Sequence, residues 1–191
     1  MQKIKLFLCL FLVLIISSIV FASENNESLS VERYALYVAA NNGGAERDIL
    51  KYAASDAKKL MEAMQEIGGI NQDNSVILVE PKITDVENAL QSFATTINQK
   101  KSNARRTEFI FYYSGHSDEN ALLLGEESYG YSQLKADINS VPSDIHVVML
   151  DSCFSGNFIR AKGGSRQKSF LVDESSVVSG HAYLSSSSES E

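Results

Sequence analysis

The sequence predicts an α/β fold in which a mostly parallel sheet carries helices on both faces. Short apolar runs alternate with longer segments whose apolar residues recur at helical spacing. This alternation is typical of parallel sheets, whose strands are buried on both sides. The chain has 191 residues, of which 44% are hydrophobic. That length and composition allow one domain with a substantial core and exclude a wholly disordered chain.

The predicted elements follow one another in a regular order along the chain. The first strand, 34–39, ends in a turn that contains Gly43 and Gly44. The second helix is expected to begin at Thr84, with Glu87 at the spacing of a capping box. Strands are predicted at 34–39, 76–79, 108–113, 145–150, 169–172 and 181–184, a hairpin at 121–130, and helices at 50–67, 84–99 and 132–139.

The first 22 residues have the layout of a secretory signal peptide. Lys3 and Lys5 precede a 16-residue run, 6–21, in which two serines are the only polar residues. Val20 and Ala22 are small enough for cleavage after Ala22. The alternative is a retained membrane anchor, although a spanning helix usually needs about 20 apolar residues. Cleavage predicts an exported protein, periplasmic or secreted, that makes no stable membrane insertion afterwards.

Cleavage would change the charge and leave one cysteine. The 169 remaining residues carry 15 basic and 24 acidic side chains, a net charge of −9. That balance argues against nucleic acid as a partner, because phosphate contacts need positive charge. Cys153 then has no cysteine to pair with inside the chain. Such a thiol is either a small buried side chain or a reactive one. A flexible leader is predicted at 23–31 and the domain at 32–191.

Polar segments with glycines follow two of the predicted strands. His116 lies in the segment after the strand at 108–113, and Cys153 lies in the segment after the strand at 145–150. Ligand sites of parallel sheets lie outside the carboxyl ends of the strands, and neighbouring strands are about 4.8 Å apart. We therefore expect these two side chains to converge on one substrate carbonyl. A histidine there can take the thiol proton and later protonate the leaving amine.

Other residues near these turns have less certain roles. The backbone N–H groups of Ser117 and Cys153 are candidates for an oxyanion hole. His146 lies inside a predicted strand and His181 begins one, so both positions favour a structural role over a catalytic one.

These segments resemble the two catalytic blocks of the caspase-like cysteine peptidases, with a closer similarity to the bacterial metacaspase-like branch. The blocks are 112–117 and 151–156, and the resemblance covers 32–191. It implies a three-layer α-β-α caspase-like (caspase-hemoglobinase) fold, peptide-bond hydrolysis, His116 as general base and Cys153 as nucleophile. Ser117 departs from the pattern, because metacaspases usually have glycine there. Caspases proper also have Gln-Ala before the nucleophile, where this chain has Asp-Ser.

The resemblance also implies a pocket for a basic substrate side chain. In the metacaspase branch, a serine before the Gly-His pair and two acidic residues bind the P1 residue, whose carbonyl carbon is attacked. The matching positions are Ser114, Asp56 and Asp151. Because carboxylates bind Arg and Lys and repel acidic groups, we expect cleavage after Arg or Lys and not after Asp. The alternatives are an exposed helix carboxylate for Asp56 and a turn-capping role for Asp151.

The partners that the resemblance implies are protein or peptide substrates. The loop at 157–168 contains four basic residues and is either a solvated loop or a site of self-cleavage. Calcium activates parts of the metacaspase branch, but no D-x-D-x-D-G loop is present. We therefore assign no metal ligands and no other cofactor.

The end of the chain bears on the choice of function. The family fold continues with further strands beyond the one predicted at 181–184, so the resemblance implies a sheet that is incomplete at its C-terminal edge. The alternative to a peptidase is accordingly a catalytically silent caspase-like domain that binds a protein partner.

Overall fold

A computed structural model describes residues 31–100, 106–153, 158 and 180–186. These residues form seven strands and three α-helices, which are numbered here in chain order. The strands are β1 (Val31–Ala40), β2 (Ser75–Val79), β3 (Arg106–Gly115), β4 (Ala121–Leu124), β5 (Glu127–Gly130), β6 (Ile145–Asp151) and β7 (Gly180–Ser185), and the helices are α1 (Ala53–Glu66), α2 (Ile83–Lys100) and α3 (Tyr131–Asn139).

Five of the strands form one parallel sheet with the order β2-β1-β3-β6-β7. β3 lies at the centre, so the carboxyl ends of β1 and β6 flank its own carboxyl end. The register places Ala40 opposite Gly115 and Ser114 opposite Asp151. β4 and β5 form a separate antiparallel hairpin. The predicted α/β fold with a mostly parallel sheet is confirmed.

Successive side chains of a strand point to opposite faces, so each face of the sheet has its own core. On one face, β1 and β3 contribute Leu36, Phe109 and Phe111, which pack with residues of α2, α3 and the hairpin. On the other face, α1 packs against a smaller set that includes Tyr37 and Tyr112. Helices therefore cover both sides of the sheet, as the continuous apolar strands predict.

The first two helices begin at residues other than those predicted. α1 begins at Ala53, because the backbone N–H of Leu50 donates to the carbonyl of Asn41 and so belongs to the loop after β1. α2 begins at Ile83, and the carboxylate of Asp85 accepts the N–H of Lys82 at 2.9 Å. The predicted capping box at Thr84 is therefore wrong, since that residue is already helical.

Some sequence predictions lie outside the described residues. These are the signal peptide, the flexible leader apart from Val31, which already belongs to β1, the strand at 169–172 and all of the basic loop except Phe158. Within the described ranges, no helix has both the length and the apolar character needed to cross a membrane.

Candidate active site

The two candidate catalytic segments lie side by side, because β3 and β6 are neighbours in the sheet. Ser114 pairs with Asp151 in the register, and each is followed two residues later by the expected catalytic residue, His116 or Cys153. The hydroxyl of Ser117 donates a hydrogen bond to the carbonyl oxygen of Cys153. The structure therefore brings the two segments into direct contact at the carboxyl edge of the sheet.

Cys153 is exposed and makes no disulfide. This exposure contradicts the alternative that the thiol is a small buried hydrophobic side chain. A solvent-accessible thiol at a strand end can be reached both by a substrate and by a neighbouring base.

His116 is oriented by the loop that follows β1. Its Nε2 lies 2.8 Å from the carbonyl oxygen of Asp48. A carbonyl oxygen only accepts hydrogen bonds, so Nε2 carries the proton in this contact. The lone pair of the neutral ring is then on Nδ1, which is the atom able to accept a proton from a thiol.

The same loop passes so close to the ring that a side chain would not fit. A Cβ atom added to Gly43 would lie 2.5–2.6 Å from Cβ, Cγ and Cδ2 of His116. The loop is held from the next strand by Glu80, whose carboxylate accepts the N–H groups of Asn41 at 2.7 Å and Asn42 at 3.3 Å. Gly43 therefore forms a tightly packed support for the imidazole.

The backbone of His116 is held from the opposite side. Its carbonyl oxygen accepts the N–H of Leu123 at 2.9 Å and lies 2.6 Å from the hydroxyl of Tyr113. Tyr113 is fully buried, and burial raises the pKa of its hydroxyl, so the group stays protonated and serves as a donor. Side-chain and backbone contacts thus restrict the histidine on both sides.

The backbone N–H of Ser117, which is expected in the oxyanion hole, takes no part in the neighbouring hairpin. This residue forms an isolated antiparallel bridge with Leu122. The two hydrogen bonds of that bridge are donated by Leu123 to His116 and by Asp118 to Ala121. They use no backbone group of Ser117, so its N–H lies outside the hairpin ladder.

The three residues of the expected P1 pocket lie on the α1 face of the sheet. Ser114 is buried on β3 and Asp151 is exposed opposite it on β6. Asp56 stands in the first turn of α1, where its N–H donates to the carbonyl of Tyr52. Burial raises the pKa of Tyr112 to about 12, and the charges of Asp151 and Asp56 contribute to this rise.

The contacts of each carboxylate bear on its alternative, structural explanation. The carboxylate of Asp56 lies 3.9 Å from the ammonium of Lys59, with side chains 44% and 76% exposed, and such a pair contributes little to stability. The carboxylate of Asp151 accepts a hydrogen bond across the strands, from the hydroxyl of Tyr112. This hydrogen bond joins two neighbouring strands, so it is not the turn-capping contact that was the alternative explanation for Asp151.

A family model described as "Caspase domain" matches residues 32–189. The chain belongs to the caspase-domain family. Metacaspase-1 from Meyerozyma guilliermondii is 25% identical over 151 residues, an alignment that covers 66% of this chain and 36% of that protein. The chain thus spans about a third of the length of this relative. Both matches support membership of the caspase-like peptidase family, and the bacterial branch stays a prediction.

Sequence reasoning missed four residues that shape this caspase-like site: Gly43, Asp48, Glu80 and Tyr112. The turn-forming sequence around Gly43 predicts a turn but not its contact with the histidine. Asp48 acts through a backbone carbonyl, which leaves no sequence signal. Tyr112 could have been found, because it stands two residues before Ser114 and therefore on the same face of a strand.

The other two histidines make contacts within the fold that are consistent with the predicted structural roles. His146 is buried, and its Nε2 lies 2.9 Å from the carbonyl of Val141 and 3.0 Å from the hydroxyl of Ser143. The ring of His181 stacks on it, with centroids 4.8 Å apart. Burial lowers the pKa of His146, which favours the neutral imidazole inside the core.

Proposed function

We propose that this chain is an exported cysteine endopeptidase that cleaves after Arg or Lys. The observation that supports the proposal is the direct contact between the two strand ends, one with an exposed thiol and the other with a histidine whose Nε2–H is already bound. In that arrangement the acceptor nitrogen of His116 is the one left for the proton of Cys153.

The proposed reaction proceeds in two stages. Nδ1 of His116 takes the proton from Sγ of Cys153 as the sulfur attacks the P1 carbonyl carbon. The N–H groups of Ser117 and Cys153 stabilise the negative charge that develops on the carbonyl oxygen. The protonated imidazole then gives its proton to the departing amine, and a thioester remains. In the second stage His116 takes a proton from water, which hydrolyses the thioester and restores the thiol.

The proposed P1 preference rests on the charge at the α1 face. The charges of Asp151 and Asp56 both act on the phenol of Tyr112, and Ser114 adds a buried hydroxyl on the same face of the sheet. Two carboxylates that share one pocket favour a cationic side chain and disfavour an acidic one, whose charge would be repelled and left unpaired.

A peptide series that varies only P1 tests the proposal. Fluorogenic peptides with Arg, Lys, citrulline or Asp at P1 are incubated with the full chain and with Cys153→Ala and His116→Ala. We expect turnover of the Arg and Lys peptides alone, and a loss of about a thousandfold or more in both variants. His181→Ala is the matched histidine control and should retain activity. Preferred cleavage after Asp, or equal turnover by Cys153→Ala, contradicts the proposal.

Export is a separate part of the proposal, and the sequence of the first 22 residues supports it. The test is the N-terminal sequence of the protein that a secretion-competent host releases. A mature chain that begins at Ser23 supports export, and an uncleaved chain retained in the membrane fraction supports the anchor.

Self-cleavage in the loop at 157–168 is supported by the four basic residues of that loop, which match the proposed P1 preference. Intact masses of the wild-type chain and of Cys153→Ala are compared after incubation. Fragments that end at a basic residue in the wild type alone support self-cleavage, and identical masses remove it.

A further inference from the structure

The α1 face contains a fourth polar group at the P1 pocket, the phenol of Tyr112. This residue is on β3, two positions before Ser114 and therefore on the same face. Its hydroxyl lies 3.4 Å from Oδ2 of Asp151. The ring is buried and tilted against Tyr37, with centroids 6.3 Å apart. The phenol is thus fixed by packing, whereas the carboxylate that it contacts is exposed.

The chemistry of the contact determines which group donates. Burial, together with the charges of Asp151 and Asp56, raises the pKa of Tyr112 to about 12, although a hydrogen bond with Ser114 acts in the opposite direction. The phenol therefore stays protonated near neutral pH and donates its one proton to Asp151. Its oxygen accepts a hydrogen bond from the hydroxyl of Ser114, so the phenol links Ser114 to Asp151.

The length of the contact decides how strongly it holds Asp151. An O–H···O distance of 3.4 Å exceeds the usual range of 2.5–3.0 Å, so the resting bond is weak. It limits the orientations of the exposed carboxylate while leaving it able to turn toward an incoming cation. A loss of this bond should therefore weaken recognition without abolishing it.

From this arrangement we infer that Tyr112 is a specificity-determining residue of the P1 pocket, which orients Asp151 and favours Arg over Lys. The inference rests on the proposed function. A guanidinium has five N–H donors in a fixed plane and needs several acceptors, whereas an ammonium has three on a flexible stem. A carboxylate held in one orientation suits the guanidinium, because paired N–H···O bonds from a rigid plane depend on that orientation more than the bonds of an ammonium do.

The test measures binding without turnover, so that it is independent of catalysis. Peptides that differ only by Arg, Lys or citrulline at P1 are titrated into full-length chain carrying Cys153→Ala, alone and combined with Tyr112→Phe. Tyr37→Phe is the matched control, because it removes a buried phenol from the same face without removing a contact to Asp151. Thermal melts of each variant establish that it is folded.

We expect Tyr112→Phe to weaken binding of the Arg peptide about fivefold and of the Lys peptide less than twofold. Tyr37→Phe should change neither value. In a chain that also carries Asp151→Asn, Tyr112→Phe should have a much smaller effect, since the phenol would act largely through that carboxylate.

Three results overturn the inference: equal binding by Tyr112→Phe and its parent, an equal loss in Tyr37→Phe, or a parent that binds the Arg and citrulline peptides equally. Failure of the proposed function has a different signature. In that case the Cys153→Ala chain prefers the Arg peptide through Tyr112, while the wild-type chain hydrolyses none of the peptides.

Discussion

The two faces of the sheet differ in size and in chemistry. On the face covered by α2, α3 and the hairpin, 21 buried hydrophobic residues among those described form one cluster. On the face covered by α1, the corresponding cluster contains seven, three of them alanine. That second face also ends in polar residues, since Ser114 and Asp151 follow its last apolar positions.

The difference indicates that one face of the sheet mainly stabilises the fold, whereas the other presents polar groups at its carboxyl end. Apolar burial stabilises a fold in proportion to the area removed from water, so the larger cluster carries most of the stability. The α1 face can then end in carboxylates and hydroxyls that would be unfavourable inside a tightly packed core. Substitutions on the larger face should therefore change stability, and substitutions at the polar end of the α1 face should change activity.

The largest expected effect is on stability, from Phe109→Ala. This side chain is completely buried in the larger cluster and packs against Phe93, with ring centroids 5.4 Å apart. Removing it should lower the free energy of unfolding by about 3–5 kcal/mol. Urea unfolding measures the change, and Phe109→Leu should lose much less. A loss below about 1 kcal/mol would contradict the assignment of stability to this face.

A smaller effect is expected on activity from Asp151→Asn, which removes a charge at nearly constant volume. The value of kcat/KM for Arg and Lys peptides should fall about 30-fold, roughly 2 kcal/mol. The melting temperature should change little, because the residue is exposed. Asp73→Asn, an exposed aspartate before β2 at the amino end of the sheet, is the control. Equal activity of the Asp151 and Asp73 variants would show that the charge has no part in recognition.

Gly43→Ala should reduce kcat about tenfold with little change in KM. The added methyl would meet the ring of His116, and a displaced base transfers protons less efficiently. Gly130→Ala is a matched control, because nothing lies within 4 Å of a Cβ at that position. Steady-state kinetics on both variants measure the difference. Unchanged kcat in Gly43→Ala would mean that the ring does not depend on this support.

The smallest expected effect concerns acid. Burial lowers the pKa of His146 below its ordinary 6.5, so the unfolded chain binds more protons than the folded one near that pH. The larger face should thus lose stability as the pH falls through about 6.5. Melting temperatures at pH 7.5 and 5.5 measure this loss, and His146→Gln should reduce it. An equal loss in the variant would assign the acid sensitivity to other groups.

Much of the fold was predictable because apolar residues recur along each strand and helix at the spacing of that element. The parallel direction of β3 and β6 follows from their continuous apolar sequences. It predicts that the segments with His116 and Cys153 lie at one edge of the sheet, and the register of the two strands agrees. The start of α1 could not be predicted, because Leu50 has an apolar side chain at helical spacing while its backbone N–H is bound in the loop. The start of α2 depends on Asp85, one residue from the predicted cap.

The supports of the site were less predictable than its reactive groups. A thiol and an imidazole are visible as residue types, whereas the Asp48 carbonyl exists in every residue and becomes specific only through folding. The carboxylate of Glu80 binds the N–H groups of Asn41 and Asn42, which lie 39 and 38 positions earlier in the chain. A single sequence carries no signal that pairs residues at such a separation.

Cys153 is proposed to be a nucleophile that His116 activates in a pocket for basic residues. Covalent labelling by a peptidyl acyloxymethyl ketone with Arg at P1, read by intact mass and peptide mapping, tests this proposal directly. We expect one label, on Cys153 of the wild-type chain, with labelling strongly slowed in His116→Ala and for the analogue with Asp at P1. Labelling that is equally fast in His116→Ala, or equally fast with both analogues, would contradict the claim.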